Sequence, residues 1–247
     1  MKVSLITVCL NSESTILGTL ESVIAQDHVD REHIIFDGGS TDQTLSIVKS
    51  FGDEVRLIEG KDSGIFDAMN QAIGYATGEV IAIINSDDFY AHHQVLSDVV
   101  HQFESTGSDT VYGDLQYVER HSPDKIYRNW KSGEFERSKF KFGWSIPHPS
   151  FFVKREVYDR YGLFDEQFKI SGDYELILRF LYIHKQSASY LPEVLVKMRT
   201  GGNSDGGIKR RFESLKEDYQ AWTENGIRPA FYTVPLKPMR KFRQFFT

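Results

Sequence analysis

The sequence contains a single cysteine, Cys9, which excludes an intrachain disulfide and any zinc site built on two or more thiolates. A reducing, cytoplasmic setting fits that scarcity. No run approaches the ~20 consecutive apolar residues needed to span a bilayer. The opening MKVSLITVCLNSES has a short apolar run without a cleavage-site pattern, so it reads as a strand rather than a signal peptide. Excess positive charge is absent too. The net charge of −6 gives no electrostatic reason to expect a nucleic-acid partner. There is no G-x-x-x-x-G-K-[ST], and no G-x-G-x-x-G follows the first strand pattern. P-loop phosphoryl transfer and dinucleotide oxidoreduction therefore lose support. Internal repeats and low-complexity linkers are absent as well.

What is present is an ordinary globular composition, 40% hydrophobic and 26% charged, in a chain of 247 residues. That length allows one large domain with a sizeable core. Short β-branched runs at Val3–Val8, His33–Phe36, Val55–Ile58 and Val80–Ile84 predict strands. Between them, helical patterns cover Ser14–Ala25, a Ser40-capped segment to about Phe51, and Phe66–Ala76. This alternation implies an α/β fold with a mainly parallel central sheet flanked by helices. Right-handed crossovers then bring the strand C-termini to one edge. Beyond residue 90 the pattern is less regular. It predicts a helix over His92–Phe103, strands over 109–118 and 125–130, and a Lys- and Phe-rich loop. A short strand SFFV and a helix from about Arg155 follow, then a helix Asp173–His184, a strand over 190–199 and a polar helix Lys209–Trp222. One domain spans 1–247, with segments 1–90, 91–205 and 206–247.

Polar groups gather where the predicted strands end. The first strand runs out at Asn11, the second at Asp37, the third leads to Asp62, and the fourth to Asp87 and Asp88. Ligands of open parallel sheets bind at this edge. Each residue alone also fits a plainer role: Asp37 in a turn with a Ser40 cap, Asp62 in a solvated loop, the acid pair at a helix start. Adjacent carboxylates after a buried strand repel one another and are costly to desolvate. Mg²⁺ or Mn²⁺, bound by one or two carboxylates plus substrate phosphates, offsets that repulsion. A nucleotide diphosphate held through a divalent cation is the reading that remains, with residues 1–90 as the nucleotide-binding half and 91–205 facing the acceptor.

With these residues in place, the chain resembles the glycosyltransferase family 2 enzymes of the GT-A fold, over roughly residues 2–205. Four stretches carry the likeness: VSLITVCLN (3–11), IIFDGGSTDQT (34–44) with its D-x-x-S-x-D-x-T pattern, DSGIFDAMNQAIGYATGEVIAIINSDD (62–88), and GLFDEQFKISGDYELILRFL (162–181). The resemblance implies inverting transfer of a sugar from a nucleotide-diphospho-sugar, by a hexosyltransferase-type enzyme of surface polysaccharide or glycolipid assembly. It implies that Asp37 binds the base, with Cys9 and Asn11 beside it, and that Asp62 lines the nucleotide pocket. Asp87 would lie near the ribose or metal, Asp88 would ligate the cation, and Asp173 would be the catalytic base. The chain departs from the pattern at Cys9 and Leu10, where many members have Thr and Tyr. It also has Ser86 in place of the first Asp of a full D-x-D, and Gly172 where Glu is common.

On the acceptor side the expected residues are His148, near the acceptor in similar enzymes, and Trp144, which could stack on a sugar. Phe142 and Trp144 suit an aromatic core better than a sugar face. RTGGNSDGG (199–207) reads as a substrate-closing loop or a linker. The 206–247 segment is a helix followed by a basic, aromatic tail, PLKPMRKFRQFFT, that suits either an anionic lipid surface or a docked or frayed terminus. Expected partners are thus a nucleotide-diphospho-sugar donor and a glycan or lipid-linked acceptor. The expected location is the cytoplasm, peripheral at the inner face of the membrane. Competing functions are a sugar-1-phosphate nucleotidyltransferase, which lacks its Gly-rich, Arg-containing loop here, a receiver-type signalling module, for which the chain is too long, and a non-catalytic nucleotide-sugar binder.

Overall fold

The computed structural model describes residues 1–201 and 207–243, with the side chains of all of these except 208 and 241–243. The middle of the 199–207 loop and the tail positions Phe245 and Phe246 lie outside the described residues.

Strand β1 (Val3–Cys9) is buried along its whole length. Its apolar run is therefore nearly continuous, as in strands covered on both faces. It lies between β2 (Arg31–Asp37) and β4 (Val80–Ile83), parallel to both, and β3 (Arg56–Glu59) continues the parallel set outside β2. Helices α1 (Ile16–Ile24), α2 (Thr44–Lys49) and α3 (Ile65–Ile73) make the crossovers. Beyond β4 the sheet becomes mixed. It runs through antiparallel β8 (Phe151–Lys154), then β6 (Thr110–Glu119), then β9 (Ala188–Arg199), parallel to β6, and ends on β5 (Asp88–Tyr90). β7 (Ser122–Trp130) forms a hairpin with β6. The α/β expectation holds, with the parallel pairing concentrated in the first four strands.

Two apolar layers sandwich the sheet. Val3 and Leu5 of β1 face Val95, Leu96, Val99 and Phe103 of α4 (Val95–Thr106). Ile6 and Val8 join Phe66, Met69 and Ala72 of α3 on the other side. This alternation is the period of two that a strand imposes, and each buried Val, Leu, Ile, Phe or Met side chain contributes about 1.5–3 kcal/mol. Helix α5 (Arg155–Tyr161) covers β8, and α6 (Gly172–Ile177) continues as a wider π turn over Leu178–Ile183. Two helices close the chain, α7 (Ile208–Glu224) and α8 (Thr233–Arg243). The Trp222 indole N–H donates to the Tyr174 hydroxyl at 2.9 Å, tying α7 to α6, and Lys237 pairs with Asp218 at 2.6 Å, tying α8 to α7. Among the described residues, no helix is long and apolar enough to cross a membrane.

Three sequence expectations are corrected. Ser40 does not cap α2, because its hydroxyl accepts from the Asn11 N–H at 2.8 Å; Asp42 accepts from the Thr44 N–H instead. The helix expected from His92 begins at Val95, because Gln26 takes the His92 carbonyl and accepts from the Leu96 N–H. Residues 88–90, expected in the connection to that helix, form β5 by pairing Asp88 with Met198 and Tyr90 with Val196.

Candidate functional site

The parallel register sets Cys9 beside Asp37, and the Cys9 thiol lies 3.5 Å from Asp37 Oδ2. Burial, with the Asp37 carboxylate as the next cause, raises the Cys9 thiol well above its ordinary range, so it stays protonated. Ser40, Asp42 and Thr44 of the D-x-x-S-x-D-x-T stretch tie its loop to residues 11–13, while Asp37 holds its own turn. Asp37 Oδ1 accepts from the Gly39 and Ser40 amides at 2.9 and 2.8 Å. Asp42 Oδ2 accepts from the Glu13 N–H, and Thr44 Oγ1 from the Ser12 N–H. Asn11 has a left-handed backbone (φ 50°), which Asn tolerates better than most residues. Its side-chain oxygen accepts from the Thr41 N–H at 2.9 Å. Asp37 is 1% exposed, so the turn role foreseen for it is filled. Asp62 and Asn11, which are less buried, present polar groups at this edge. Asp62 sits against Gly38, where any side chain would collide with its carboxylate. Cys9, Asn11, Asp37 and Asp62 therefore do converge on one strand edge.

The acid pair joins that edge through a 2.9 Å contact between the Ser12 and Ser86 hydroxyls. Asp87 is partly buried, whereas Asp88 is 0% exposed. Asp88 Oδ2 accepts from Asn85 Nδ2 at 2.8 Å, while Oδ1 has no hydrogen-bond partner. Burial, reinforced by the Asp87 charge, raises the Asp88 carboxyl well above the usual carboxylate range. Burial raises Asp87 as well, against the opposing charges of Arg120 and Arg199. Arg199 ends β9, which pairs with β5, so strand pairing carries its guanidinium to the acids. It donates to the Asp87 carbonyl at 2.7 Å and lies 4.6 Å over the Phe89 ring. Arg199 and Arg120 were not singled out from the sequence. The only signal was an Arg at the end of a strand, and its neighbours depend on long-range pairing.

Asp173, at the start of α6, is partly exposed, and its Oδ1 accepts from the Tyr174 N–H. The Tyr117 phenol feels the charge of both Asp173 and Asp88. Burial raises that phenol, the Arg128 guanidinium 3.8 Å over its ring opposes this, and both Asp88 and Asp173 add to it. His148 is 7% exposed and packs edge-on to Phe164. Burial lowers its pKa against the opposing Asp173 charge, keeping it neutral at pH 7. Trp144 is corrected. It is 6% exposed, its indole N–H donates to the Ser132 carbonyl, and Tyr112 and Phe140 pack on it edge-on, so no face is left for a sugar. Phe142 is exposed but stacks on Tyr232 of the C-terminal segment.

Gly172 has a packing reason. A Cβ there would lie 2.6–2.9 Å from carbons of the Phe66 ring, so the space a Glu would need is filled by α3. Gly172→Ala is expected to destabilise the protein by about 1–3 kcal/mol through overpacking. Urea titration checks this as a lower midpoint at unchanged slope.

Asp87 and Asp88 suit a hard divalent cation. They offer only oxygen donors, and Asp88 Oδ1 is a buried acceptor without a partner, which a cation would satisfy.

The model of the family described as "Glycosyl transferase family 2" matches residues 4–162. A PGL/p-HBAD biosynthesis glycosyltransferase of Mycobacterium bovis (strain BCG / Pasteur 1173P2) is 28% identical over 200 residues, covering 76% of this chain and 75% of the relative. An uncharacterized glycosyltransferase of Rickettsia typhi is 27% identical over 206 residues, with 80% of this chain and 63% of the relative covered. Among solved structures, S. aureus TarS 1-349 in complex with UDP-GlcNAc superposes with a TM-score of 0.71 at 20% identity, over 91% of this chain and 65% of that one. The mannosyltransferase PcManGT from Pyrobaculum calidifontis, in complex with GDP-Man and Mn2+, gives a TM-score of 0.67 at 18% identity, over 98% and 69%. The chain thus spans a little under two thirds of the Rickettsia relative and of the TarS structure. With the family model covering well over half of its residues, and with the fold and strand-end site described above, the chain belongs to glycosyl transferase family 2 and is a glycosyltransferase of the GT-A fold.

Proposed function

We propose that this enzyme transfers a sugar from a nucleotide-diphospho-sugar to an acceptor hydroxyl with inversion, assisted by Mn²⁺ or Mg²⁺. One observation carries the reading: the polar ends of β1–β3 share an edge with the Asp87–Asp88 pair. The UDP-GlcNAc of one structural neighbour, and the GDP-Man and Mn²⁺ of another, support a nucleotide-sugar donor and a cation. The family match favours this reading over a sugar-1-phosphate nucleotidyltransferase and over a non-catalytic binder.

In this reading Asn11 and Asp62 line the nucleotide pocket, and Asp37 and Cys9 hold its floor. Asp87 and Asp88 would hold the cation, which would satisfy the unpartnered Asp88 Oδ1. When bound, the cation supplies charge neutralisation to the leaving diphosphate. Arg199 adds a second positive charge beside the same carboxylates. Asp173 accepts the proton of the acceptor hydroxyl as that oxygen attacks the anomeric carbon from the face opposite the diphosphate. A single base suffices for inversion, so no covalent nucleophile is required. His148 is buried whereas Asp173 is partly exposed, which leaves the Asp173 carboxylate as the group an acceptor hydroxyl reaches. The acceptor is a glycan or lipid-linked hydroxyl in surface polysaccharide or glycolipid assembly. The biosynthetic assignment of the Mycobacterium bovis relative supports that role. The buried, unpaired Cys9 suits a cytoplasmic location.

The anomeric configuration of the product tests the mechanism. Transfer from an α-linked donor is expected to yield a β-linked product, read from the anomeric proton coupling by NMR. Retention would rule out the single-base route.

A further inference from the structure

Among the described residues, exposed aromatics and positive charge coincide around the start of α8 and the 137–142 turn. Phe142, Tyr232 and Phe231 form a continuous row, with ring centroids 5.8 Å apart for the first pair and 5.3 Å for the second. Phe231 is 91% exposed, Met239 61% and Phe142 47%. Helix α8 explains why these side chains stand outward. Its inner face is anchored by the Thr233 hydroxyl on the Lys141 carbonyl and by Lys237 on Asp218. Pro235, Pro238 and Met239 are left on the opposite, exposed face. The patch therefore joins two segments distant in sequence, the turn at 137–142 and the 228–243 segment.

Charge separates in the same place. The chain as a whole carries −6, yet residues 225–247 contain no Asp or Glu and include Arg228, Lys237, Arg240, Lys241 and Arg243. The 137–142 turn adds Arg137, Lys139 and Lys141. Acids do face this turn. Glu136 lies 4.0 Å from Lys139, whose ammonium also bonds the Glu134 carbonyl, while Arg137, Lys141 and Arg228 are exposed.

We propose that this patch docks on an anionic phospholipid surface, inserting Phe231, Met239 and Phe142 among the acyl chains near the headgroups while the flanking cations meet lipid phosphates. An exposed aromatic row ringed by cations is the combination that holds a helix in a membrane interface. The acid-free stretch, within a chain that is otherwise negative, selects an anionic surface over a neutral one or over a second copy of the same basic face. The helix that carries Met239 also packs on α6 through its inner face, where Lys237 lies 3.6 Å over the Tyr174 ring. Lipid binding does not rest on the proposed sugar transfer.

Co-sedimentation of the full chain with vesicles tests the docking without any sugar substrate. Binding is expected to vesicles of phosphatidylcholine mixed with phosphatidylglycerol, to be weak on phosphatidylcholine alone, and to fall as salt rises. Phe231→Ser combined with Met239→Ser, and separately Lys141→Glu with Arg228→Glu, are each expected to weaken binding about tenfold. All four positions are exposed, so the thermal midpoint should not change. Equal binding to both vesicle types, undiminished binding by either variant, or no vesicle binding at all overturns the proposal. So does a concentration-dependent dimer that Phe231→Ser dissociates, because the face would then be occupied by another copy.

Discussion

Asp173→Asn is expected to lower sugar transfer by about 10²–10⁴-fold, the usual contribution of a positioned general base, while donor binding stays within about twofold of wild type, since ΔG of binding then changes by less than ~0.5 kcal/mol. The amide is nearly isosteric, and its oxygen can keep the 2.7 Å bond from the Tyr174 N–H. The fold around α6 should therefore persist. What is lost is a group able to take the acceptor proton. Single-turnover transfer alongside calorimetric donor titration separates the two effects. A variant that binds donor normally but transfers slowly supports the assignment, and near wild-type transfer removes Asp173 from the role.

Asp88→Asn is expected to make the metal-free protein more stable and the enzyme inactive. Asp88 is fully buried with one oxygen unpartnered, and its carboxyl is raised by burial and by Asp87. The folded protein thus retains a proton that the unfolded chain releases near the ordinary aspartate value. The stability contributed by this group is complete below the unfolded value and is lost as pH rises through the raised, folded one. Asparagine cannot ionise. At neutral pH the variant should gain about 1–3 kcal/mol, because it avoids the cost of keeping a protonated acid in the folded state, less what its own unpaired amide N–H groups cost. At roughly 2–4 °C per kcal/mol for a domain of this size, that is a rise in Tm of several degrees. The difference should shrink toward acid pH, where Asp88 is protonated in the wild type too. Mn²⁺ is expected to raise the wild-type Tm by linkage and to leave the variant unchanged. A variant that retains Mn²⁺-dependent donor binding would place the cation on Asp87 alone.

The legible parts of this protein are those governed by local pattern. β1 and β4 are covered on both faces, so their apolar runs stood out, and the parallel half followed. The polar strand ends were legible for the same reason, because Asn11, Asp37 and Asp62 interrupt those runs. Ser40 was misread because a helix cap and a cross-loop acceptor use the same side chain, and only the fold sets the Asn11 amide against it. β5 was hidden because three residues headed by an acid have no strand signal of their own and exist through pairing with β9. The same pairing delivers Arg199 to Asp87 from 112 positions along the chain. Trp144 was ambiguous because an indole can stack on a sugar or pack in a core. The Ser132 carbonyl and the surrounding rings place it in the core. Gly172 likewise acquired its reason only once α3 brought Phe66 against it.

The central claim is that the strand-end acids form a cation-assisted nucleotide-sugar site. It is tested most directly by incubating the wild-type enzyme with a panel of UDP- and GDP-sugars in Mn²⁺ or Mg²⁺ and following nucleoside diphosphate release. Release from at least one donor, abolished by EDTA and by Asp88→Asn, is the predicted result. No binding and no release from any nucleotide-sugar with metal present would contradict it.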